Sequence, residues 1–270
     1  MIISSEQSIQ TFFWKVAWPT TTILVGVHGN ERSWPLAMQE LLDTWYTIDA
    51  WTVHIIFANI EALAQWKRYI EVNMNRCFWT QCVWYEAQRV KEILPYLRAS
   101  DYLLDIHNTI DLSTPPFIIC EHDDLLPYFD VAWAVRWLDD LHPGWSDGYM
   151  NSLWKKAVCL EVGSIVDDLE VTISLAKKHI ENFLSAVGNK KQKATTYMIP
   201  SVMSCRSIYH AKFGSFVLQK KFSEFEYIRW WTVLWTDWGI DILMIEDGYM
   251  LFSRNTLEVG DECFVILHAK

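Results

Sequence analysis

The chain has 270 residues, 51% of them hydrophobic and 21% charged, with a formal net charge of −10. Such a length supports a large buried core, in one large domain or in a large and a small one. The acidity argues against a nucleic-acid surface, which needs clustered Lys and Arg.

No apolar run reaches the roughly 18 residues of a membrane span. The first residues, MIISSEQSIQ, lack the basic and apolar regions of a secretory signal. Six cysteines (Cys77, Cys82, Cys120, Cys159, Cys205, Cys263) lie scattered, with no C-x-x-C pair. In a chain this long that is no disulfide framework, and a reducing cytoplasm is the expected setting.

In chain order, residues 22–27 (TILVGV) read as a buried strand, and Pro35 marks a place where a helix can begin. Residues 52–58 (TVHIIFA) are a second apolar strand. Residues 59–80 are mixed and polar and read as a long working loop. Residues 84–98 carry apolar positions at helical spacing. Residues 102–106 and 117–120 are a third and a fourth strand, 125–138 a further helix, and 157–162 a fifth strand. Residues 167–187 read as a long helix, with Asp167 and Asp168 at its start, Lys177 and Lys178 in later turns, and Gly188 at its close. Alternating strands and helices predict an α/β domain with a parallel or mixed sheet. Beyond the polar stretch 189–193, residues 196–270 show short β-like runs and turns. The expected division is a domain over 1–193 and a small all-β domain over 194–270.

The chain holds 16 Trp and only 10 Gly, although Gly usage is ordinarily about 7%. Trp45, Trp51, Trp145 and Trp238 stand where turns are expected, and turns favour Gly because it accepts positive φ without strain. One reading is that several of these codons are UGA, decoded as Gly in the source cell. The other is a chain rich in Trp.

Ligands in open α/β sheets bind at the carboxyl ends of strands. His28 and Glu31 follow one such end, His107-Asn108-Thr109 another, and Glu161-Val162-Gly163 a third. His28, Glu31 and His107 suit Zn²⁺, whose catalytic sites use three protein ligands and leave a fourth place for water. Gly26 and Gly29 allow a tight backbone there, and Asp105 or Asn108 is placed to orient a ligand. Taken singly, a His-x-x-Glu is usually a surface turn and a strand-end His a hydrogen-bonded core residue. Glu161 lies among Val158, Cys159, Leu160 and Val162, where a carboxylate must be paired or carry a raised pKa and a task. Arg68 and Arg76 sit in a loop with Asn75, suited to gripping carboxylates or polarising a carbonyl. His54, His122, His142, His179, His210 and His268 suggest no role, His122 being a distant candidate for the rim.

Together, "GVHGNE", "ANIEA", "KRYIEVNMNRCF", "LLDIHNT" and "CLEVGS" resemble the succinylglutamate desuccinylase/aspartoacylase family of zinc-carboxypeptidase-like hydrolases. The resemblance covers roughly residues 20–190. It implies a mixed sheet flanked by helices, with a small β-rich C-terminal domain. It further implies that His28, Glu31 and His107 hold one Zn²⁺, that Glu161 is general base and acid, and that Arg68 polarises the scissile carbonyl. Asn75 and Arg76 would grip a substrate carboxylate. The substrate would be a small N-acyl amino acid, with neither nucleic acid nor membrane as partner and a homo-oligomer left open. A zinc carboxypeptidase acting on short peptides and a non-catalytic metal-binding protein are the alternatives. The family favours Gly where this chain has Trp34. It carries Asp where this chain has Asn73, so a carboxylate behind the ligands is missing. Its aspartoacylase branch carries a substrate-binding arginine where this chain has Asn151, which argues against N-acetylaspartate.

Overall fold

The computed structural model describes residues 7–13, 19–44, 52–79, 83–110, 114–138, 144–212, 216–237, 240–256 and 258–269. Fourteen strands and five α-helices are named here in chain order. β1 (Ile9–Phe12), β2 (Thr20–Val25), α1 (Ser33–Thr44), β3 (Thr52–Phe57), α2 (Ile60–Gln65), α3 (Tyr85–Ala99) and β4 (Tyr102–Thr109) come first. β5 (Phe117–Ile119), β6 (Trp133–Arg136), α4 (Ser146–Ser152), β7 (Lys156–Ser164) and α5 (Leu169–Ala186) follow. β8 (Ser201–His210), β9 (Phe216–Leu218), β10 (Tyr227–Ile228), β11 (Val233–Asp237), β12 (Ile240–Leu243), β13 (Gly248–Leu251) and β14 (Glu262–Ala269) complete the chain.

A single mixed sheet runs β1-β3-β2-β4-β7-β5-β6-β8-β14-β13-β10, and a second small antiparallel sheet runs β12-β11-β9. β2 is buried along its whole length, as expected of a parallel strand covered on both faces. Its side chains alternate between two cores. Ile23 and Val25 pack with Met38 and Leu41 of α1 and Ile173, Ile180 and Phe183 of α5. Leu24 packs on the other face with Val90, Ile93 and Leu97 of α3. This is the two-residue period of a strand read out in packing. Asp168 caps α5 by accepting from the Glu170 and Val171 N–H groups, a contribution of about 1 kcal/mol.

The α/β class and the sheet flanked by helices agree with the sequence reading, and after Ala186 no helix occurs among the described residues. Two expected elements differ. Residues 125–137 form no α-helix. They make a 3-10 turn at Leu126–Tyr128 and then β6, which pairs in parallel with β5 and β8. Pairing on both sides, with β5 and with β8, claims the run that follows the turn. Residues 59–80 are not one loop. Asn59 caps the short helix α2 through the Ala62 N–H, and a 3-10 turn spans Met74–Arg76. β8, β10, β13 and β14 extend the large sheet, so the C-terminal strands are joined to the first half by continuous pairing.

Among the described residues, Cys77, Cys120, Cys159, Cys205 and Cys263 are buried thiols. Among the described residues, no helix is long and apolar enough to cross a membrane. Of the tryptophans expected in turns, Trp45, Trp51 and Trp238 lie outside the described residues. Trp145 has extended backbone (φ −80°, ψ 156°) and needs no glycine. Trp34 is fully buried in α1.

Candidate metal centre and active-site pocket

β2, β4 and β7 are parallel neighbours, so their carboxyl ends share one edge of the sheet. Past β2, Gly26 adopts φ +71°, and a Cβ on Gly29 would lie 2.2 Å from the Ala62 carbonyl carbon. No larger residue fits at 29, and the loop therefore closes on α2. That closure carries His28 and Glu31 to the end of β4. His107 stands there, opposite Glu161 of β7 in register.

The three expected ligands converge. One ligand atom from each of His28, Glu31 and His107 lies within 4.8 Å of the others. Nδ1 of His28 is 2.7 Å from Oε1 of Glu31, and Nδ1 of His107 is 3.2 Å from Oε2. The rings are tilted, with centroids 5.0 Å apart. Both outer nitrogens have partners: His28 Nε2 donates to Asn73 Oδ1 at 3.0 Å, and His107 Nε2 faces Asp105 Oδ2 at 3.2 Å. Asp105 in turn accepts from the Ser146 hydroxyl. The Asn108 backbone N–H donates to Glu31 Oε2 at 3.1 Å and fixes the carboxylate.

Charge follows from this packing. Burial pushes His28 down to about 4, against the opposing pull of Glu31. Burial opposes ionisation of Glu31, but the two imidazoles outweigh it and hold the carboxyl well below its ordinary range. Burial likewise disfavours a charged His107, yet Asp105 and Glu31 raise it well above the usual value. An ionised carboxylate between two inward-facing Nδ1 atoms, each ring held from behind, is a donor set that fits Zn²⁺.

Glu161 shares the pocket, 7% exposed. Burial, with Glu31 adding to it, pushes its carboxyl up to about 8, although His107 works the other way. Its Oε2 has no hydrogen-bond partner among the described residues. Arg68 approaches Glu31 at 3.5 Å, and its side chain is 35% exposed. Asn75 is buried beside His107, with Oδ1 unpartnered among the described residues. Arg76 donates to the Asn75 carbonyl and to Glu262, each at 2.9 Å, and lies over the Trp145 ring. All seven expected site residues therefore line one cavity of ≈ 110 Å³.

Sequence reasoning missed two contributions. Glu86 is fully buried at the start of α3. Its carboxylate accepts from the Ile70, Glu71 and Val72 backbone N–H groups and from Asn59 Nδ2, so it holds the loop that carries Arg68 and Arg76. Its position in the first turn of a helix reads as an ordinary solvated acid. Replacing Glu86 with Leu should destabilise the fold by about 2–3 kcal/mol, since charged hydrogen bonds are lost and three N–H groups are left unpaired. Urea unfolding checks this, and kcat/KM should fall with it as the loop loosens. The second contribution is from the C-terminal part of the chain: Glu262 of β14, with Glu224, Phe252, Ser253 and Arg254 from connections between strands, lines the same cavity. No local motif marks them.

Asn151 stands elsewhere. Its Oδ1 accepts from His122 Nε2 at 3.0 Å, and neither residue lines the cavity. His54 bonds Thr11 across β1 and β3, and His179 stacks on Phe129 in the core.

Residues 17–187 match the model of the succinylglutamate desuccinylase/aspartoacylase catalytic domain. A probable aspartoacylase of Nostoc sp. is 28% identical, over 53% of this chain and 54% of its own length. An N-acyl-aromatic-L-amino acid amidohydrolase (carboxylate-forming) of Xenopus tropicalis is 24% identical, over 52% of this chain and 53% of its own. The chain thus spans about half the length of the curated relatives it matches. Among solved structures, succinylglutamate desuccinylase of Vibrio parahaemolyticus superposes with a TM-score of 0.77 at 12% identity, over 97% of this chain and 86% of that one. The enzyme of that name from Chromobacterium violaceum gives 0.76 at 14% identity, over 98% and 89%. These likenesses show the same fold. With the catalytic-domain model matching well over half of its residues, the chain belongs to the succinylglutamate desuccinylase/aspartoacylase family.

Proposed function

We propose that the chain is a zinc-dependent amidohydrolase, with one Zn²⁺ per chain, that removes the acyl group from a small N-acyl amino acid. The observation that carries this reading is the convergence of His28, Glu31 and His107 within 4.8 Å, in one cavity with an unpartnered Glu161 carboxylate oxygen. The matched relatives, an aspartoacylase and an N-acyl amino acid amidohydrolase, support the bond type.

His28, Glu31 and His107 would hold a divalent ion, which would supply Lewis acidity to the site. The chain's own residues do the rest. Glu161 takes a proton from the water as its oxygen adds to the amide carbon. Arg68 faces the negative charge that develops on the carbonyl oxygen. Glu161 then returns the proton to the nitrogen as the C–N bond breaks, which releases a carboxylic acid and a free amine. A raised pKa suits Glu161 to both halves, since a group titrating near the working pH can accept and give back a proton. Arg76 receives the substrate carboxylate, and Asn75 helps to place it.

The division into a hydrolase domain over 1–193 and a β-rich domain over 194–270 belongs to this reading, supported by the lack of any helix after Ala186 among the described residues. So does a cytoplasmic setting, supported by the five buried thiols among the described residues.

A panel of N-acyl amino acids varied in acyl length and side-chain charge tests the function, with matched N-acyl amines that lack the carboxylate. The acids should be cleaved and the amines should not. Arg76→Ala should raise KM for the acids by about 10-fold or more, the loss of one charge-assisted pair. Equal cleavage of acids and amines would contradict the carboxylate grip.

A further inference from the structure

The two imidazoles beside Glu31 are held from behind by unlike groups. His107 Nε2 faces the Asp105 carboxylate at 3.2 Å. His28 Nε2 donates to Asn73 Oδ1 at 3.0 Å. The same oxygen accepts the Asn75 backbone N–H at 3.0 Å, which fixes the amide with its oxygen toward the ring. Asn73 therefore sets the tautomer of His28, leaving Nδ1 free to face Glu31. A carboxylate behind a ligating imidazole also makes it more basic toward an ion, whereas an amide oxygen orients it and adds no charge.

We propose that Asn73 is a positioning residue that keeps His28 in its metal-binding tautomer while holding the affinity of the centre for divalent ions down. This rests on the metal-centre reading above. Zn²⁺ affinity, read by competition with a chromophoric chelator, tests it on the wild-type chain, Asn73→Asp and Asn73→Ala. Asn73→Asp should bind Zn²⁺ about 10–100-fold more tightly, and Asn73→Ala more weakly, because it loses the orienting oxygen. Wild-type binding of Zn²⁺ with equal or weaker binding by Asn73→Asp overturns the role of Asn73 alone. A wild-type chain that binds no Zn²⁺ overturns both this and the centre itself.

A separate observation concerns the tryptophans. Six non-glycine residues among those described have left-handed backbone, and four are Trp: Trp66 (φ 54°), Trp137 (φ 61°), Trp154 (φ 59°) and Trp231 (φ 63°). The other two are Phe225 and Phe252. None is Asn, Asp or His, which ordinarily lead that class, and a bulky residue there is an outlier. Trp66 ends α2, with its N–H and that of Lys67 returning to the Ala62 carbonyl. Trp154 follows α4, with its N–H on the Asn151 carbonyl and that of Lys155 on Met150. Both are the helix-closing position that glycine fills. Burial offers no compensation, since Trp154 is 98% exposed, Trp231 62% and Trp137 47%.

We infer that Trp66, Trp137, Trp154 and Trp231 are glycine in the protein as its own cell makes it, from UGA codons decoded there as glycine. Peptide sequencing by mass spectrometry on the protein from its source cell tests this. Glycine at the four positions is expected, and tryptophan, or UGG codons, overturns it. In recombinant protein, Trp66→Gly, Trp137→Gly, Trp154→Gly and Trp231→Gly combined should raise Tm by about 5 °C as backbone strain is relieved. A Tm at or below that of the Trp-bearing chain contradicts the backbone argument.

Discussion

Glu161→Gln should lower kcat by about 10²–10⁴-fold, the range that general acid–base catalysis supplies, and leave the metal content unchanged. The substitution keeps the shape of a side chain that is 7% exposed and removes only its capacity to carry a proton. Burial pushes Glu161 up to about 8, and the base must be ionised to accept a proton. Activity should therefore fall as pH drops through the pKa of this group. A bound dication beside it favours the carboxylate, so the loaded enzyme should show that limb below 8. Glu161→Gln should abolish the limb along with the rate. Steady-state kinetics across pH, with metal analysis of the same preparations, checks both parts. A variant that keeps its rate would remove Glu161 from the chemistry.

Arg68→Ala should lower kcat by about 10²–10³-fold with a smaller change in KM, the pattern of a donor that acts on charge formed in the transition state. Its guanidinium stands 3.5 Å from Glu31, is 35% exposed and lines the cavity. Arg68→Lys should recover little, because a point charge does not reproduce the planar fork. Arg76 offers the contrast. It is paired with Glu262 at 2.9 Å, further along the cavity, and its loss should appear in KM. The two arginines are separable by the split between kcat and KM. A large KM effect with unchanged kcat for Arg68→Ala would move it from the reacting carbonyl to the carboxylate grip.

Much of the site was legible because strand ends place it. Apolar runs such as Ile23–Val25 mark where a strand stops, and residues just past that point, His28 and Glu31, cannot be buried without a purpose. Glu161 within Val-Cys-Leu-Glu-Val announces the same conflict between charge and burial. The pattern gave less where local signals compete. Residues 131–136 carry apolar spacing that suits a helix or a strand, and only pairing with β5 and β8 decides it. α2 is too short for a periodicity to show. Glu86 looks like any acid in a first helical turn, and its clamp on the Ile70–Val72 amides exists only once the loop has folded over it. Glu262 comes from a strand 186 residues away from Arg76, and no local pattern encodes a contact made by the closing of a sheet. The tryptophan anomaly was legible in composition; of the four positions the sequence singled out, only Trp145 lies among the described residues. Trp145 is extended, while Trp66 and Trp154 occupy the left-handed helix ends.

The central claim is that one divalent ion binds where His28, Glu31 and His107 meet. Elemental analysis and zinc titration of the purified chain and of His107→Ala test it most directly. One ion per chain in the wild type, lost in His107→Ala while the circular dichroism is retained, is the predicted result. A wild-type chain that takes up no stoichiometric ion, or a variant that keeps it, would contradict the account.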